Sequence, residues 1–394
     1  MKPGVEARKA AARTVGLVMR SGAFSNRLVD ASRLDGADGA LFRFLTYTTL
    51  RHLKRVDSLI EMHSAKKVSA LDVEVADVLR VAVAEVLYGR APSHAIVDSA
   101  VESVKTGRSK RAAGFVNGLL RSLLRSELPE EPSDPRVEYP DWIVSSLNAA
   151  WPEEEVEGFF STSLQDAPRQ VRSRDGAAVG DQDSVAGIPG AFDWNSAGTI
   201  PPNFVVQDAA SVAVGNTVPL RSGDLVLDLT AAPGGKAAHL HDRGARVVAV
   251  DRHHRRVKDG ALRFPMLKWV VADGRRPPFN EDSFDHVLLD APCSGLGTMR
   301  RRPEIRYRVE QQDVERLSKV QRELLDVAFR LVKPGGTVTY SVCTVTPEET
   351  IEVVEDFAAS PPPGVAGKQW GKGVLLGPHL SGTDGMFISV LSRP

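Results

Sequence analysis

Cysteine is almost missing from this chain: two in 394 residues, Cys293 and Cys343. Two thiols cannot build the disulfide framework of a small secreted domain, and no CxxC or HExxH spacing offers a zinc site. The pairs His253-His254 and His239/His241 lack cysteine or carboxylate neighbours at ligand spacing, so they read as surface histidines and no metal is expected. Long apolar runs are missing too, since none approaches the ~20 residues that cross a bilayer. The opening stretch "MKPGVEARKAAARTVGLVMRSGAFSNRLVD" has no continuous apolar core or cleavage site and carries Glu6, so it reads as folded protein rather than a leader. A reducing cytoplasmic setting, no membrane partner and a monomer are the expectations. Net charge is absent in sum, with 50 Lys plus Arg against 50 Asp plus Glu, yet residues 1–128 hold 21 against 13. A basic N-terminal region on a neutral chain points to an anionic partner there.

What is present divides the chain. From Val5 to Arg125 the apolar spacing is helical: "ALFRFLTYTTLRHLKRVDSLIEMH" sets Leu41, Leu45, Leu50, Leu53, Val56 and Ile60 three to five residues apart. Gly89 ends one helix, and Pro92 and Ser93 open the next. An all-α bundle over 1–128 is predicted. "SELPEEPSDPRVEYPDW" is rich in proline, which denies a helix both a donor and space, so 129–140 reads as a linker. Residues 141–218 begin with one or two helices and continue into a Gly/Pro-rich stretch with short strand-like pieces, an accessory substrate subdomain. From 219 to 394 strands alternate with helices: "LVLDLT", "RVVAVD", "WVVAD", "HVLLD" and "GTVTYSV" are short and β-branched. That order predicts a doubly wound, largely parallel α/β sheet.

Strand "LVLDLT" runs into "AAPGGKAAHL", a glycine turn that opens a helix, where backbone N–H groups face a ligand. Asp228, Asp251, Asp273 and Asp290 each end or follow a strand, and in an open parallel sheet the carboxyl ends of strands line the ligand crevice. Four such acids and the glycine turn favour a nucleoside ligand. The turn lacks GxGxxG and GxxxxGK[ST], which weakens a dinucleotide reading and removes a P-loop. S-adenosylmethionine remains, its carboxylate placed at Gly234, Gly235 and Lys236.

Both cysteines stand in polar loops after apolar strands, "LLDAPCSGLG" and "TYSVCTVTPEE". Methylating nitrogen or oxygen needs no thiol, but carbon 5 of a pyrimidine is a poor nucleophile. A thiolate adding to carbon 6 makes carbon 5 enamine-like, and covalent catalysis then splits one hard step into easier ones. An acid must also neutralise charge near N3, and Asp290 beside Cys293 is the candidate. Spacing alone leaves open which cysteine attacks.

"DLTAAPGGKAAHL", "DAPCSGLGTMRRRPEIRY" and "YSVCTVTPEE" closely resemble signature motifs of the RNA cytosine-5 methyltransferases of the Sun/Fmu group. "VQDAAS" and "DGMFISVLSRP" resemble two more, and "RVAVAEVLYGRAPSHAIVDSAVE" with "GFVNGLLRSLLR" looks like a NusB-type RNA-binding domain. The likeness spans nearly the whole chain and is faint only from about 167 to 202. It implies a NusB-like bundle joined to a Rossmann-like methyltransferase domain that uses S-adenosylmethionine on small-subunit ribosomal RNA. It also implies that Cys343 attacks the base and Cys293 assists release. Thr230, Ala231, Ala232, Pro233, Gly234, Gly235, Lys236, Asp251, Asp273 and Asp290 would contact the cofactor, Asp290 also facing the base.

Arginines 300, 301, 302, 306 and 308, "KTGRSKR" (105–111) and "RHLKR" (51–55) are candidate phosphate contacts. The base must leave any stack to reach a thiol, so single-stranded or loop RNA is expected. Two other readings stand beside this one: the same chemistry on transfer RNA, and a non-catalytic RNA-binding or ribosome-assembly factor.

Overall fold

A computed structural model describes residues 4–128, 130, 132–180, 182–194 and 199–394. The chain forms two compact units: the residues up to Val144 together with Arg301–Arg308, and Ser145–Arg300 together with Val309–Pro394.

In the first unit helices α1 (Val5–Ser21), α2 (Ser25–Asp30), α3 (Gly36–Arg51), α4 (Leu53–Ser64), α5 (Val73–Tyr88), α6 (Ser93–Thr106) and α7 (Ala113–Arg125) enclose one apolar core. Leu45, Leu50, Val56 and Ile60, four of the periodic positions, are fully buried in it. At about 1.5–3 kcal/mol per buried aliphatic side chain, this core rather than helix propensity holds the bundle. Asp72 caps α5 by accepting from the backbone N–H of Glu74 and Val75. Two forked ion pairs tie α1 to α5: Arg8 donates to both Glu85 oxygens at 2.6 Å, and Arg20 to Asp77 at 2.8 and 2.7 Å.

Most of the expected phosphate-binding arginines are spent inside the units. Arg306 is fully buried, its guanidinium 4.1 Å from the Tyr139 ring centre. Arg308 donates to the carbonyls of Val18, Gly22 and Ala23, satisfying the C-terminal end of α1. Arg300 donates to Asp166 O and Gly382 O. In "RHLKR", Arg51 is buried, Lys54 donates to Tyr139 O, and Arg55 donates to the Tyr88 hydroxyl. Lys105, Arg108, Lys110 and Arg111 remain exposed. Charge counts could not separate these groups, because a guanidinium serves carbonyls and aromatic faces as readily as phosphates.

The second unit takes in most of α8 (Asp141–Ala150) and all of α9 (Glu153–Ser163). Strands β1 (Gln170–Ser173), β2 (Ala191–Asp193) and β3 (Phe204–Val206) then form a small antiparallel sheet ordered β2-β1-β3. Helix α10 (Ala209–Thr217), capped by Asp208, leads to the main sheet. There follow β4 (Leu225–Asp228), α11 (Gly235–Asp242), β5 (Arg246–Asp251), α12 (His254–Arg263), β6 (Lys268–Val271), β7 (Phe284–Asp290), α13 (Gln311–Leu331) and β8 (Val332–Val342). The chain closes with β9 (Ala359–Ser360), β10 (Lys368–Trp370), β11 (Gly373–Leu376), α14 (Pro378–Ser381) and β12 (Met386–Ser392). The main sheet is ordered β10-β11-β12-β8-β7-β4-β5-β6, with β9 on β12. The five strands from β8 to β6 are parallel, and β12, β11 and β10 add antiparallel to them.

The order reverses between β4 and β7. The chain lays β4, β5 and β6 outward, then returns to place β7 on the other side of β4. Such a reversal leaves a crevice at the carboxyl ends of the two strands, where ligands of open α/β sheets bind. Asp228 and Asp290, the last residues of β4 and β7, flank it. The surface reading of the histidines is corrected at one position: His239 lies on the buried side of α11, only 4% exposed. Burial, with the Arg172 and Arg243 charges, pushes its imidazole down to about 3. Among the described residues no group of His, Cys, Asp and Glu is arranged to hold a metal, and no helix is long and apolar enough to cross a membrane.

Candidate active site

Asp228, Asp251 and Asp290 terminate parallel strands, and Asp273 follows β6 by two residues, so all four acids stand at the carboxyl edge of the sheet. The turn after β4 is laced to the neighbouring strands. Thr230 Oγ1 donates to Asp290 O at 2.9 Å, and Ala231 N to Val250 O at 2.7 Å. Ala231 and Ala232 are buried, while Pro233 is exposed. Gly234 has φ +103°, and a side chain there would begin 2.8 Å from Phe264 and 2.9 Å from Trp269. Only glycine meets both demands. A side chain at Gly235, the first residue of α11, would meet no atom within 4 Å, so open space lies before the helix N-terminus.

The acids differ in their surroundings. Asp251 is buried; its Oδ1 accepts from His253 N at 2.9 Å, and its Oδ2 lies 3.4 Å from Arg256 Nη1. Arg256 also donates to Ala232 O at 2.6 Å, cross-linking the glycine turn to the end of β5. Nothing in the sequence singled out Arg256 from the other cations of α12. Asp273 is clasped by the side chain and backbone of Arg275, which hold its carboxyl down at about 2. Asp228 is the unsatisfied one: it is 1% exposed, and among the described residues its Oδ2 has no hydrogen-bond partner. Burial, with the nearby Asp290 charge, pushes its carboxyl up to about 7.

An orphaned buried carboxylate oxygen beside an open helix N-terminus and a second carboxylate one strand away suits a ligand with hydroxyl donors and an anionic end. S-adenosylmethionine has such donors and such an end, and Asp228, Asp251 and Gly234–Lys236 are the groups that would meet them. The orphan has a measurable consequence. An aspartate titrates near 3.9 in an unfolded chain and near 7 at Asp228, so its contribution to stability is fully present below about pH 4 and is lost as pH rises through 7. Cofactor-free Asp228→Asn protein should therefore melt at higher temperature than the parent at pH 8, by an effect of roughly 4 kcal/mol, and lose that advantage at pH 4. Equal melting shifts at both pH values would remove Asp228 as the titrating group.

The two cysteines, 50 positions apart in sequence, meet: their sulfurs are 3.3 Å apart and each residue is half-buried. Parallel pairing of β7 with β8 sets Asp290 opposite Ser341, so the loops that follow, carrying Cys293 and Cys343, emerge side by side. Gly297 N donates to Cys343 O at 3.0 Å, and Gly385 N to Gly297 O at 2.8 Å. A side chain at Gly297 would begin 2.1 Å from Gly385 O, so the "DGMFIS" turn can seat against the Cys293 loop only through two glycines.

Asp290 lies between these groups. Its Oδ2 accepts from Lys236 Nζ at 2.8 Å and its Oδ1 from Ser341 Oγ at 2.9 Å. Lys236 therefore has a resident carboxylate partner besides any bound ligand. Burial works against the ammonium, but Asp290, then Cys343 and Asp228, outweigh it and raise its pKa. The Cys293 thiol is pushed well up, first by its hydrogen bond with Cys343, then by burial and by the Glu349 and Asp290 charges. Ser341 belongs to the site although no motif argument named it; strand alternation from Cys343 was the available signal.

A family model described as 16S rRNA methyltransferase RsmB/F matches residues 216–392, and the NusB family model matches residues 5–125. Ribosomal RNA small subunit methyltransferase B of Shigella sonnei and of Escherichia coli is 33% identical over 391 residues, covering 91% of this chain and 91% of theirs. Putative methyltransferase Rv1407 of Mycobacterium tuberculosis is 32% identical over 449 aligned positions, covering 100% of this chain and 97% of its own length. The crystal structure of PH0851 shares the fold over 99% of this chain and 98% of its own, with a TM-score of 0.82 and 23% identity. With both the bundle and the catalytic sheet matched, the chain belongs to the RsmB/F family of 16S rRNA methyltransferases, an S-adenosylmethionine-dependent RNA methyltransferase that carries a NusB-family domain.

Proposed function

We propose that this chain methylates carbon 5 of a cytosine in small-subunit ribosomal RNA, through a transient bond between Cys343 and carbon 6. The observation that carries the reading is the thiol pair, whose members sit 3.3 Å apart in unlike electrostatic surroundings. The Lys236 ammonium acts on Cys343, whereas the charges acting on Cys293 include the Glu349 and Asp290 carboxylates. A cation favours a thiolate and carboxylates favour a thiol. The likeness of the Cys343 motif to the family's signature makes Cys343 the nucleophile and Cys293 the proton carrier, and this pattern of charge agrees with it; the spacing of the cysteines left the assignment open.

The Cys343 thiolate bonds to carbon 6, the ring π electrons move towards N3, and N3 takes a proton passed from the Lys236 ammonium through Asp290. S-adenosylmethionine, when bound, supplies a methyl group activated on a sulfonium. Carbon 5 takes that methyl. Cys293, having passed its own proton to solvent, takes the carbon 5 proton as the C5=C6 bond re-forms, N3 returns its proton through Asp290 to Lys236, and Cys343 leaves as thiolate. Gly234, Gly235, Asp251 and Asp273 would hold the cofactor, with Thr230, Ala231, Ala232 and Pro233 shaping the turn that would face it.

Small-subunit rRNA is favoured by the small-subunit rRNA methyltransferases whose likeness runs over 91% of this chain. Exposed Lys105, Arg108, Lys110 and Arg111 offer phosphate contacts in the helical unit. The test supplies methyl-labelled cofactor with small-subunit rRNA, large-subunit rRNA or transfer RNA, then digests each to nucleosides. Label in 5-methylcytidine from the small-subunit RNA is expected. Label in another modified nucleoside overturns the chemistry, and label confined to transfer RNA overturns the substrate.

A further inference from the structure

Behind the thiol pair lies a buried carboxylate that the mechanism above does not use. Glu349 ends the short helical turn Pro347–Glu349 and is fully buried. Its Oε1 accepts from Ser294 N at 2.8 Å and from Gln321 Nε2 at 3.0 Å. Its Oε2 accepts from the hydroxyls of Ser294, of Thr344 at 3.0 Å and of Thr346 at 3.2 Å. Among the described residues no cation forms an ion pair with it. Five neutral donors therefore balance one buried charge, and a carboxylate so placed is costly unless each donor stays in position.

The donors are not scattered. Ser294 follows Cys293 and Thr344 follows Cys343, and their own hydroxyls are 2.7 Å apart. Gln321, on α13, reaches Pro292 O at 2.9 Å with the same amide nitrogen that serves Glu349. Tyr340, three residues before Cys343, donates to Glu349 O at 2.7 Å. Each cysteine is thus bracketed by residues bonded to one carboxylate or to its own partners. Backbone bonds from Ala291 N to Ser341 O and from Gly297 N to Cys343 O tie the bases of the two loops, and the Glu349 network adds side-chain bonds at the residues next to each sulfur.

We propose that Glu349 is a positioning residue that clamps the Cys293 loop to the Cys343 loop and thereby sets how fast the covalent adduct is released. The proposal rests on the covalent reading given above. Addition needs only Cys343 and the base, whereas release needs Cys293 within reach of the proton on carbon 5. Loosening the clamp moves one thiol relative to the other and slows the second half of the reaction more than the first. A glutamine at 349 keeps the volume, but it sets an NH2 donor against hydroxyls or an N–H that already donate. One side of the clamp is then unpaired.

Target rRNA and S-adenosylmethionine are mixed with parent, Cys293→Ala, Glu349→Gln and Ser294→Ala proteins. Adduct is followed on denaturing gels, and turnover and cofactor binding are measured in parallel. For Glu349→Gln the expected result is a 10- to 100-fold loss of kcat, KM for RNA within about twofold, and accumulation of adduct during turnover. Ser294→Ala, which removes one donor and leaves the carboxylate, should show the same accumulation with a loss below 10-fold. Parallel loss of adduct and turnover in both variants, with cofactor binding kept, would mean that Glu349 only supports the fold, and the proposal fails. If Glu349→Gln does not fold, Ser294→Ala decides by the same comparison. If Cys293→Ala forms no adduct, the covalent reading itself fails and the clamp proposal falls with it.

Discussion

Cys343→Ala protein should bind S-adenosylmethionine normally and transfer no methyl group, a fall on the order of 10⁴-fold or more in kcat. Cys293→Ala should behave differently: it forms the bond to carbon 6 but cannot clear it, so a protein–RNA band persists on a denaturing gel. The double variant should show no band. The expectation follows from the surroundings of the two sulfurs. Cys343 is within the influence of the Lys236 ammonium, while Cys293 is held as a thiol by its bond to Cys343 and by nearby carboxylates. An adduct that accumulates with Cys343→Ala, and not with Cys293→Ala, would reverse the roles.

Lys236→Met should lower kcat by about 10²–10³-fold, the usual cost of deleting one preorganised charge aimed at a developing one. Lys236 contacts Asp290 at 2.8 Å and acts electrostatically on Cys343, so its loss strikes both the acid side and the thiolate side of the reaction. The sign of the pH effect follows. Without the cation the thiolate is harder to form, so the rising limb of the rate–pH profile should move to higher pH. Lys236→Arg keeps the charge, with altered reach, and should recover part of the rate and the original limb. A uniform loss of rate with an unmoved profile would reduce Lys236 to a cofactor contact.

Part of this site was legible because its chemistry sits in contiguous words. The turn Thr230 to Lys236, the strand-end acids and the two cysteine loops are each local patterns, and local patterns survive in sequence. Arg256 was not legible, since its role exists only when a helix and a turn come together, and Ser341 was legible only through strand alternation from Cys343. Glu349 stood in plain view within "YSVCTVTPEE", yet nothing in that stretch reveals that its donors come from Ser294 and Gln321, 55 and 28 positions away. The arginines after the Cys293 loop misled for the same reason. Their number suggested phosphate, whereas burial of Arg306 against Tyr139 and the bonds from Arg308 to the end of α1 engage those two within the fold.

The linear chain by itself determined the two architectures, because helical and strand periodicities impose different burial patterns and the bundle and the sheet each follow from them. It determined as well that acids and a glycine turn would gather at one edge, since parallel strands connected by helices point their carboxyl ends the same way. Tertiary structure decided what distance and dielectric control. It brought Cys293 to Cys343, left one oxygen of Asp228 without a partner among the described residues, set Lys236 against Asp290, and enclosed the Glu349 carboxylate behind both thiols. Charge and nucleophilicity depend on neighbours within a few ångströms, and those neighbours are chosen by strand order and register rather than by position along the chain.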